Sequence, residues 1–103
     1  DAELLIIAHG IVSRAARAAV QVLREEGLKA GLFRPITLRP FPVAELRRLT
    51  GQARRLIVVE SAYGQLEKMV KTALYGLKIP LRSYLRPGMG ITPEEIVQFA
   101  KEL

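Results

Sequence analysis

The side chains best suited to acid–base chemistry are His9 and Glu60, each of which directly follows a strongly apolar segment. His9 is the only histidine of the chain. A histidine in contact with a carboxylate can act as a general base. No cysteine, lysine or second carboxylate accompanies this pair, however, and a lone histidine after a strand more often hydrogen-bonds within its own fold. We therefore expect no catalytic residue in this chain.

Glycines and small polar residues follow the same two apolar segments. They are Gly10 and Ser13 after the first segment, and Ser61, Gly64 and Gln65 after the second. Neither turn has the three-glycine pattern of dinucleotide sites or the Gly-Lys-Ser/Thr sequence of a phosphate-binding loop. The chain has no cysteine, which excludes thiolate metal sites, and one histidine cannot form a zinc site alone. We predict that these residues form a crevice or an interface, without cofactor-binding or metal-binding residues.

A stiff, partly apolar segment spans residues 31–42, with the sequence Gly-Leu-Phe-Arg-Pro-Ile-Thr-Leu-Arg-Pro-Phe-Pro. We call it the proline segment. Its prolines fix the backbone angle φ and remove hydrogen-bond donors, so no regular element can run through it. Its apolar side chains are too numerous to face water together, and exposed apolar patches mark contact sites. We predict that some of the following residues contact a neighbouring domain or subunit: Phe33, Arg34, Pro35, Ile36, Leu38 and Phe41.

Apolar runs and helical spacing predict four strands and four helices in strict alternation. Two of the runs, Leu-Leu-Ile-Ile-Ala and Leu-Ile-Val-Val, are continuously apolar, which is typical of parallel strands covered on both faces. The predicted strands are Leu4–Ala8, Lys29–Phe33, Leu56–Val59 and Leu81–Tyr84. The predicted helices run from a Ser13 cap to Glu26, from Pro42 to Gly51, from Gln65 to Tyr75, and onward from a capping box at Thr92.

Apolar spacing also predicts which helical side chains face the core. Val43, Leu46 and Leu49 are predicted to point inward from the second helix. The third helix is predicted to bury one longer stripe, which consists of Leu66, Met69, Val70, Ala73, Leu74 and Leu77.

Alternating strands and helices favour an α/β fold, a three-layer α/β/α sandwich with a mainly parallel sheet of four or more strands. With the two most apolar strands in the centre, the predicted strand order is 2-1-3-4, with helices on both faces. Ligands of such sheets bind beyond the carboxyl ends of the strands, at the switch point where the strand order reverses. In this order the switch point lies between His9 and Glu60.

The 103 residues are half apolar and one quarter charged, as in an ordinary globular domain. We expect residues 1–103 to form a single domain and, because the chain begins at Asp1 without methionine, to be a fragment of a longer subunit. The formal net charge is +6, but the cations are scattered, which disfavours nucleic-acid binding. The apolar runs are too short to span a membrane, and we expect no signal peptide. We therefore expect a cytoplasmic protein without membrane or nucleic-acid partners.

The order and spacing of several motifs resemble one protein family over almost the whole chain. The motifs are Leu5-Ile-Ile-Ala-His-Gly10, the proline segment, Leu56-Ile-Val-Val-Glu60 with Gly64-Gln65-Leu66, Leu85-Arg-Pro-Gly88 and Ile91-Thr-Pro-Glu-Glu-Ile96. Together they resemble the transketolase C-terminal-like domain (domain II) of 2-oxoacid:ferredoxin oxidoreductase alpha subunits.

The resemblance implies an enzyme complex that oxidatively decarboxylates a 2-oxoacid to an acyl-CoA and reduces ferredoxin. Thiamine diphosphate, Mg²⁺ and iron–sulfur clusters are implied for the parent complex, and none of them for this chain. In that family the thiamine site lies between the N-terminal domain of the alpha subunit and a beta subunit. The implied role of this chain is structural: it contacts the other domain of the alpha subunit and the beta subunit, and it is inactive alone.

Two alternatives remain open from the sequence. The chain could be the equivalent C-terminal domain of another thiamine enzyme, such as a 2-oxoacid dehydrogenase beta chain or a transketolase, because these share the architecture. It could instead be a free-standing flavodoxin-like module that binds a small anion.

Overall fold

Strands and helices alternate along the chain in the computed structural model, which describes residues 2–102. The elements are β1 Leu4–Ala8, α1 Val12–Glu25, β2 Ala30–Phe33, α2 Val43–Thr50, β3 Arg55–Glu60, α3 Gln65–Ala73, β4 Leu81–Leu85 and α4 Pro93–Lys101. The predicted elements are therefore confirmed, and their ends differ from the predicted ends by one or two residues.

The four strands form a parallel sheet in the predicted order β2-β1-β3-β4. β1 is central, with Leu5 opposite Gly31 of β2 on one side and opposite Leu56 of β3 on the other. Because the strands are parallel, their carboxyl ends meet at one edge of the sheet. The loops that lead from strand to helix, including the proline segment, all lie at this edge.

Two apolar clusters lie on opposite faces of the sheet. Alternate side chains of β1 divide between them: Leu4 and Ile6 pack with α1 and α4, whereas Leu5 and Ile7 pack with α2 and α3. Both faces of the central strands are thus covered by helices, which explains why β1 and β3 are continuously apolar. The fold is the predicted three-layer α/β/α sandwich.

Helix α4 begins with the predicted capping box. The Glu95 backbone N–H donates to Thr92 Oγ1 at 3.1 Å, and the Thr92 backbone N–H donates to Glu95 Oε1 at 3.0 Å. Pro93 occupies the first turn, where its missing N–H would have no helical partner. This local signal therefore determines the start of α4 without help from the rest of the fold.

Helix α1 starts differently from the prediction, and the assignment of Ser13 as its cap is wrong. The helix begins at Val12, so the cap position falls on Ile11, which has no side-chain acceptor. The chain turns at Gly10, whose φ of +66° favours glycine. Ser13 Oγ donates to the Gly10 carbonyl oxygen at 2.6 Å, so the hydroxyl holds the turn and not the helix N-terminus.

Helices α2 and α3 leave two predicted core residues at the surface. Val43 and Leu77 are each 41% exposed, so their assignment to the core is wrong. Val43 is the first residue of α2 and borders a surface groove. Helix α3 ends at Ala73, and a turn at Gly76 (φ +90°) takes Leu77 off the helical stripe.

Candidate functional site

His9 is half-buried at the end of β1, and its ring contacts the proline segment. Nδ1 lies 3.1 Å from the carbonyl oxygen of Pro35, a buried residue that follows β2. Because a carbonyl oxygen can only accept, Nδ1 carries the hydrogen and donates it. The bond ties the segments that follow two neighbouring strands, so His9 holds the proline segment against β1.

Glu60 is 6% exposed at the end of β3, and its carboxylate caps helix α3. Oε1 accepts from the backbone N–H of Leu66 at 3.0 Å, and Oε2 accepts from that of Glu67 at 2.9 Å. The helix cap position is Gly64, with a φ of +105° and no side chain that could accept. A helix N-terminus has unpaired N–H groups and favours negative charge. Gly64 has no capping side chain, so the carboxylate of Glu60, at the end of β3, caps helix α3 in its place.

Five of the seven predicted switch-point residues line one cavity of about 410 Å³, and Ser13 and Gly64 do not. His9, Gly10, Glu60, Ser61 and Gln65 all contribute to its lining. Within residues 2–102, no hydrogen bond joins the imidazole of His9 to the carboxylate of Glu60. The fold thus brings the two groups to one crevice but engages each with backbone atoms.

The other switch-point residues also make bonds within the loops. The Ser61 carbonyl oxygen accepts from the Gly88 backbone N–H at 3.3 Å, which links the loop after β3 to the loop after β4. Gln65 Oε1 accepts from the Tyr63 backbone N–H at 3.1 Å. Ser13 is buried beneath the first loop, away from the cavity lining. These contacts shape the edge of the sheet.

The proline segment is partly buried and partly exposed. Phe33 is 4% exposed, and Leu38 and Phe41 pack against the apolar cluster beneath α2 and α3. Ile36 is 87% exposed, and Arg34 is also exposed. The segment therefore retains apolar surface that residues 2–102 do not cover, and the predicted contact with a neighbour stays a prediction.

The described residues lack the ligand sets of an iron–sulfur cluster and of a metal ion such as Mg²⁺. Iron–sulfur clusters need cysteine thiolates, and the sequence has none. Among residues 2–102, no three His, Asp or Glu side chains are grouped to hold a metal ion. The N-terminus of α3, where a phosphate could bind, already holds the carboxylate of Glu60. In the same range, no helix is long and apolar enough to cross a membrane.

A polar cluster that the sequence analysis missed joins β4 to α4. Tyr84 Oη donates to Glu95 Oε2 at 2.6 Å, and Arg86 Nη1 donates to the same oxygen at 2.8 Å. The Tyr84 ring also lies 5.1 Å from that of Phe99. The available signal was the spacing of Tyr84 and Arg86, which places alternate residues on one face of an extended chain.

The hydrogen bonds of this cluster shift two pKa values in opposite directions. The hydrogen bond from Tyr84, followed by that from the Thr92 backbone, lowers the pKa of Glu95 below 4.5. The hydrogen bond to Glu95 raises the pKa of Tyr84 above 10.0. Because its pKa is lower in the folded state, the ionised carboxylate of Glu95 stabilises the fold above about pH 4.5. This stabilisation is lost as the pH falls through the folded-state pKa.

We therefore expect Glu95→Gln to destabilise the fold at neutral pH but progressively less below about pH 4.5. Urea unfolding of both proteins at a series of pH values measures this difference. Glu94→Gln is the matched control, because Glu94 is exposed on the same helical turn and outside this cluster. A difference between wild type and Glu95→Gln that stays constant with pH would contradict the prediction.

Structure comparison defines the class of this domain. A split-gene transketolase, solved as an inactive beta4 tetramer, matches with a TM-score of 0.85 and 21% identity over 99% of this chain and 38% of that chain. The 2-oxoglutarate:ferredoxin oxidoreductase from Magnetococcus marinus, solved with 2-oxoglutarate, coenzyme A and succinyl-CoA bound, matches with a TM-score of 0.87 and 33% identity. That match covers 99% of this chain and 18% of the oxidoreductase chain. The chain thus has a transketolase-type α/β fold.

The chain belongs to the pyruvate:ferredoxin oxidoreductase core domain II family, whose model matches residues 2–96. Subunit VorB of a ketoisovalerate oxidoreductase from Methanothermobacter thermautotrophicus is 47% identical over 73 residues, which are 71% of this chain and 21% of VorB. The chain spans about a fifth of the length of these oxidoreductase relatives. The family match confirms the resemblance seen in the sequence. It favours this family over the alternative assignment to a 2-oxoacid dehydrogenase beta chain or a transketolase.

Proposed function

We propose that this chain is a non-catalytic structural domain of the alpha subunit of a 2-oxoacid:ferredoxin oxidoreductase. One observation carries the proposal: both titratable groups at the switch point are engaged in structural hydrogen bonds. His9 donates to Pro35, and the two oxygens of Glu60 accept from the first turn of α3. Each oxygen of the buried Glu60 carboxylate accepts a backbone N–H, so this group serves as a helix cap. The bond from Nδ1 orients the His9 ring but leaves the lone pair of Nε2 free, so catalysis by His9 is tested by substitution.

Exposed apolar side chains at the carboxyl edge of the sheet support a role in contacting other domains or subunits. Ile11, Ile36, Tyr63 and Met89 are 83%, 87%, 86% and 55% exposed, and each lies in a different loop between a strand and the next helix. Aromatic residues and methionine are enriched at protein–protein interfaces. This edge, with the proline segment beside it, would contact the other domain of the alpha subunit and the beta subunit.

The activity belongs to the parent complex in this proposal. Residues 1–103 form one domain of a longer cytoplasmic subunit whose complex oxidatively decarboxylates a 2-oxoacid, forms an acyl-CoA and passes the electrons to ferredoxin. Thiamine diphosphate, Mg²⁺ and iron–sulfur clusters are held by other domains and subunits. The names of the relatives, a ketoisovalerate oxidoreductase and a 2-oxoglutarate:ferredoxin oxidoreductase, support this substrate class.

Two experiments test the structural role. The purified chain, assayed with pyruvate, 2-oxoglutarate or ketoisovalerate together with CoA and an electron-accepting dye, is expected to show no activity. Deletion of residues 1–103 from the parent subunit is expected to prevent assembly of the complex, as measured by native mass spectrometry. Activity of the chain alone, or normal assembly without it, would refute the proposal.

A variant of the full complex tests catalysis by His9 directly. We expect His9→Asn to change the turnover number by less than about twofold, because asparagine can still donate to the Pro35 carbonyl oxygen. Loss of a general base would instead lower the turnover number by about 10²–10⁴-fold. Steady-state rates at saturating 2-oxoacid and CoA distinguish the two outcomes.

A further inference from the structure

The two helical faces of the sandwich differ in charge. The segments that cover one face, residues 34–50 and 65–73, contain six Arg or Lys side chains and two Glu side chains. The segments that cover the opposite face, residues 12–26 and 93–102, contain four Arg or Lys side chains and five Glu side chains. We call the first surface the α2–α3 face. The α2–α3 face therefore has a formal net charge of +4 and the opposite face one of −1.

Both acidic side chains of the α2–α3 face already have partners. Glu45 lies 4.0 Å from Arg48, and Glu67 lies 3.5 Å from Lys71. The ammonium group of Lys68 is exposed and has no carboxylate of residues 2–102 within 4 Å, and the same holds for Arg34 and Arg39. This face therefore presents positive charge that the described part of the chain does not neutralise.

An apolar groove of about 420 Å³ lies within the same face. Its lining includes Leu38 and Phe41 of the proline segment, Val43 and Met69, together with the cationic side chains of Arg47 and Lys68. Because a cavity of about 150 Å³ accommodates benzene, this groove has room for a large apolar side chain. Arg47 is held in place by donating to the Ala73 carbonyl oxygen at 2.9 Å.

We propose that the α2–α3 face docks an acidic protein segment, which inserts an apolar side chain into the groove and places a carboxylate beside Lys68. The segment belongs to another domain or subunit of the parent complex, so this inference rests on the proposed function. The positive charge of this face favours a partner with negative charge. The groove favours a partner that offers an apolar side chain as an anchor. A nucleic acid would neutralise the cations but would leave the apolar lining of the groove, mostly aliphatic side chains, without a matching apolar anchor.

Charge reversal in the full-length parent subunit tests this surface. Lys68→Glu is expected to weaken association with the rest of the complex at least about tenfold, because like charges across an interface cost several kcal/mol. The dissociation constant is measured at low and at high NaCl concentration, and the defect should be smaller at high salt. Arg17→Glu on α1 is the matched control: it makes the same charge change at an exposed residue on the opposite face, and it should change affinity by less than about twofold.

Acetylation of lysines in the assembled wild-type complex gives a second measurement that needs no variant. Lys68 should be protected in the assembled complex and reactive after dissociation. An equal effect of Lys68→Glu and Arg17→Glu, or a freely reactive Lys68 in the complex, would refute the inference. Protection that disappears on nuclease treatment would also refute it, in favour of a nucleic acid. If deletion of residues 1–103 prevents assembly while Lys68→Glu does not, only this docking surface is wrong and the structural role stands.

Discussion

Leu74→Ala is expected to lower the free energy of unfolding by about 2–5 kcal/mol, the range observed when a buried leucine is truncated. Leu74 is 5% exposed and packs with Leu46, Val58 and Val70 beneath α2 and α3. Removal of its side chain leaves a cavity that these neighbours fill only partly. The free energy of unfolding is measured by equilibrium denaturation in urea, monitored by circular dichroism.

Leu77→Ala is the matched control for this prediction, because it makes the same chemical change three residues further along the chain. Leu77 is 41% exposed beyond the end of α3, and its truncation should change stability by no more than about 0.5 kcal/mol. Equal losses in the two variants would mean that Leu77 belongs to the buried stripe, as the sequence pattern predicted, and that α3 continues past Ala73.

Glu60→Ala is expected to destabilise the fold by about 1–3 kcal/mol, the cost of leaving buried polar groups without a partner. The substitution removes both acceptors from the backbone N–H groups of Leu66 and Glu67. Hydrogen exchange of these two amides measures the effect directly, and both should exchange faster relative to the amides of β1. Glu60→Gln should be less harmful, because its single amide oxygen can still accept from one of them.

Glu25→Ala is the control for the Glu60 variants. Glu25 is exposed in the last turn of α1, so its loss should change stability by less than about 0.5 kcal/mol. Protection of the Leu66 and Glu67 amides that survives in Glu60→Ala would refute the capping role. In that case the carboxylate of Glu60 would again be available as a base, and the non-catalytic proposal would lose its main support.

The layered fold follows from patterns that are local in sequence. Short continuous apolar runs bounded by turn residues are typical of strands covered on both faces, so the sequence predicts that β1 and β3 are central and parallel. The capping box at Thr92 places the start of α4, because all its donors and acceptors lie within four residues. Right-handed connections between parallel strands then leave the observed strand order as the natural arrangement.

The roles of the candidate site residues depended on contacts between distant parts of the chain. The sequence pattern predicts that His9 and Glu60 lie at one crevice. It does not predict that His9 bonds to Pro35, which is 26 residues away, or that Glu60 bonds to the first turn of α3. The cluster of Tyr84, Arg86 and Glu95 likewise joins a strand to a helix.

The sequence by itself therefore determined the class of fold and the place of the crevice, since both depend on hydrophobic periodicity and strand polarity. Only the tertiary structure decided whether each polar group there faces a ligand or a backbone atom. The physical reason is that a hydrogen bond depends on a few tenths of an ångström and on direction, whereas burial depends only on which side of an element a residue occupies.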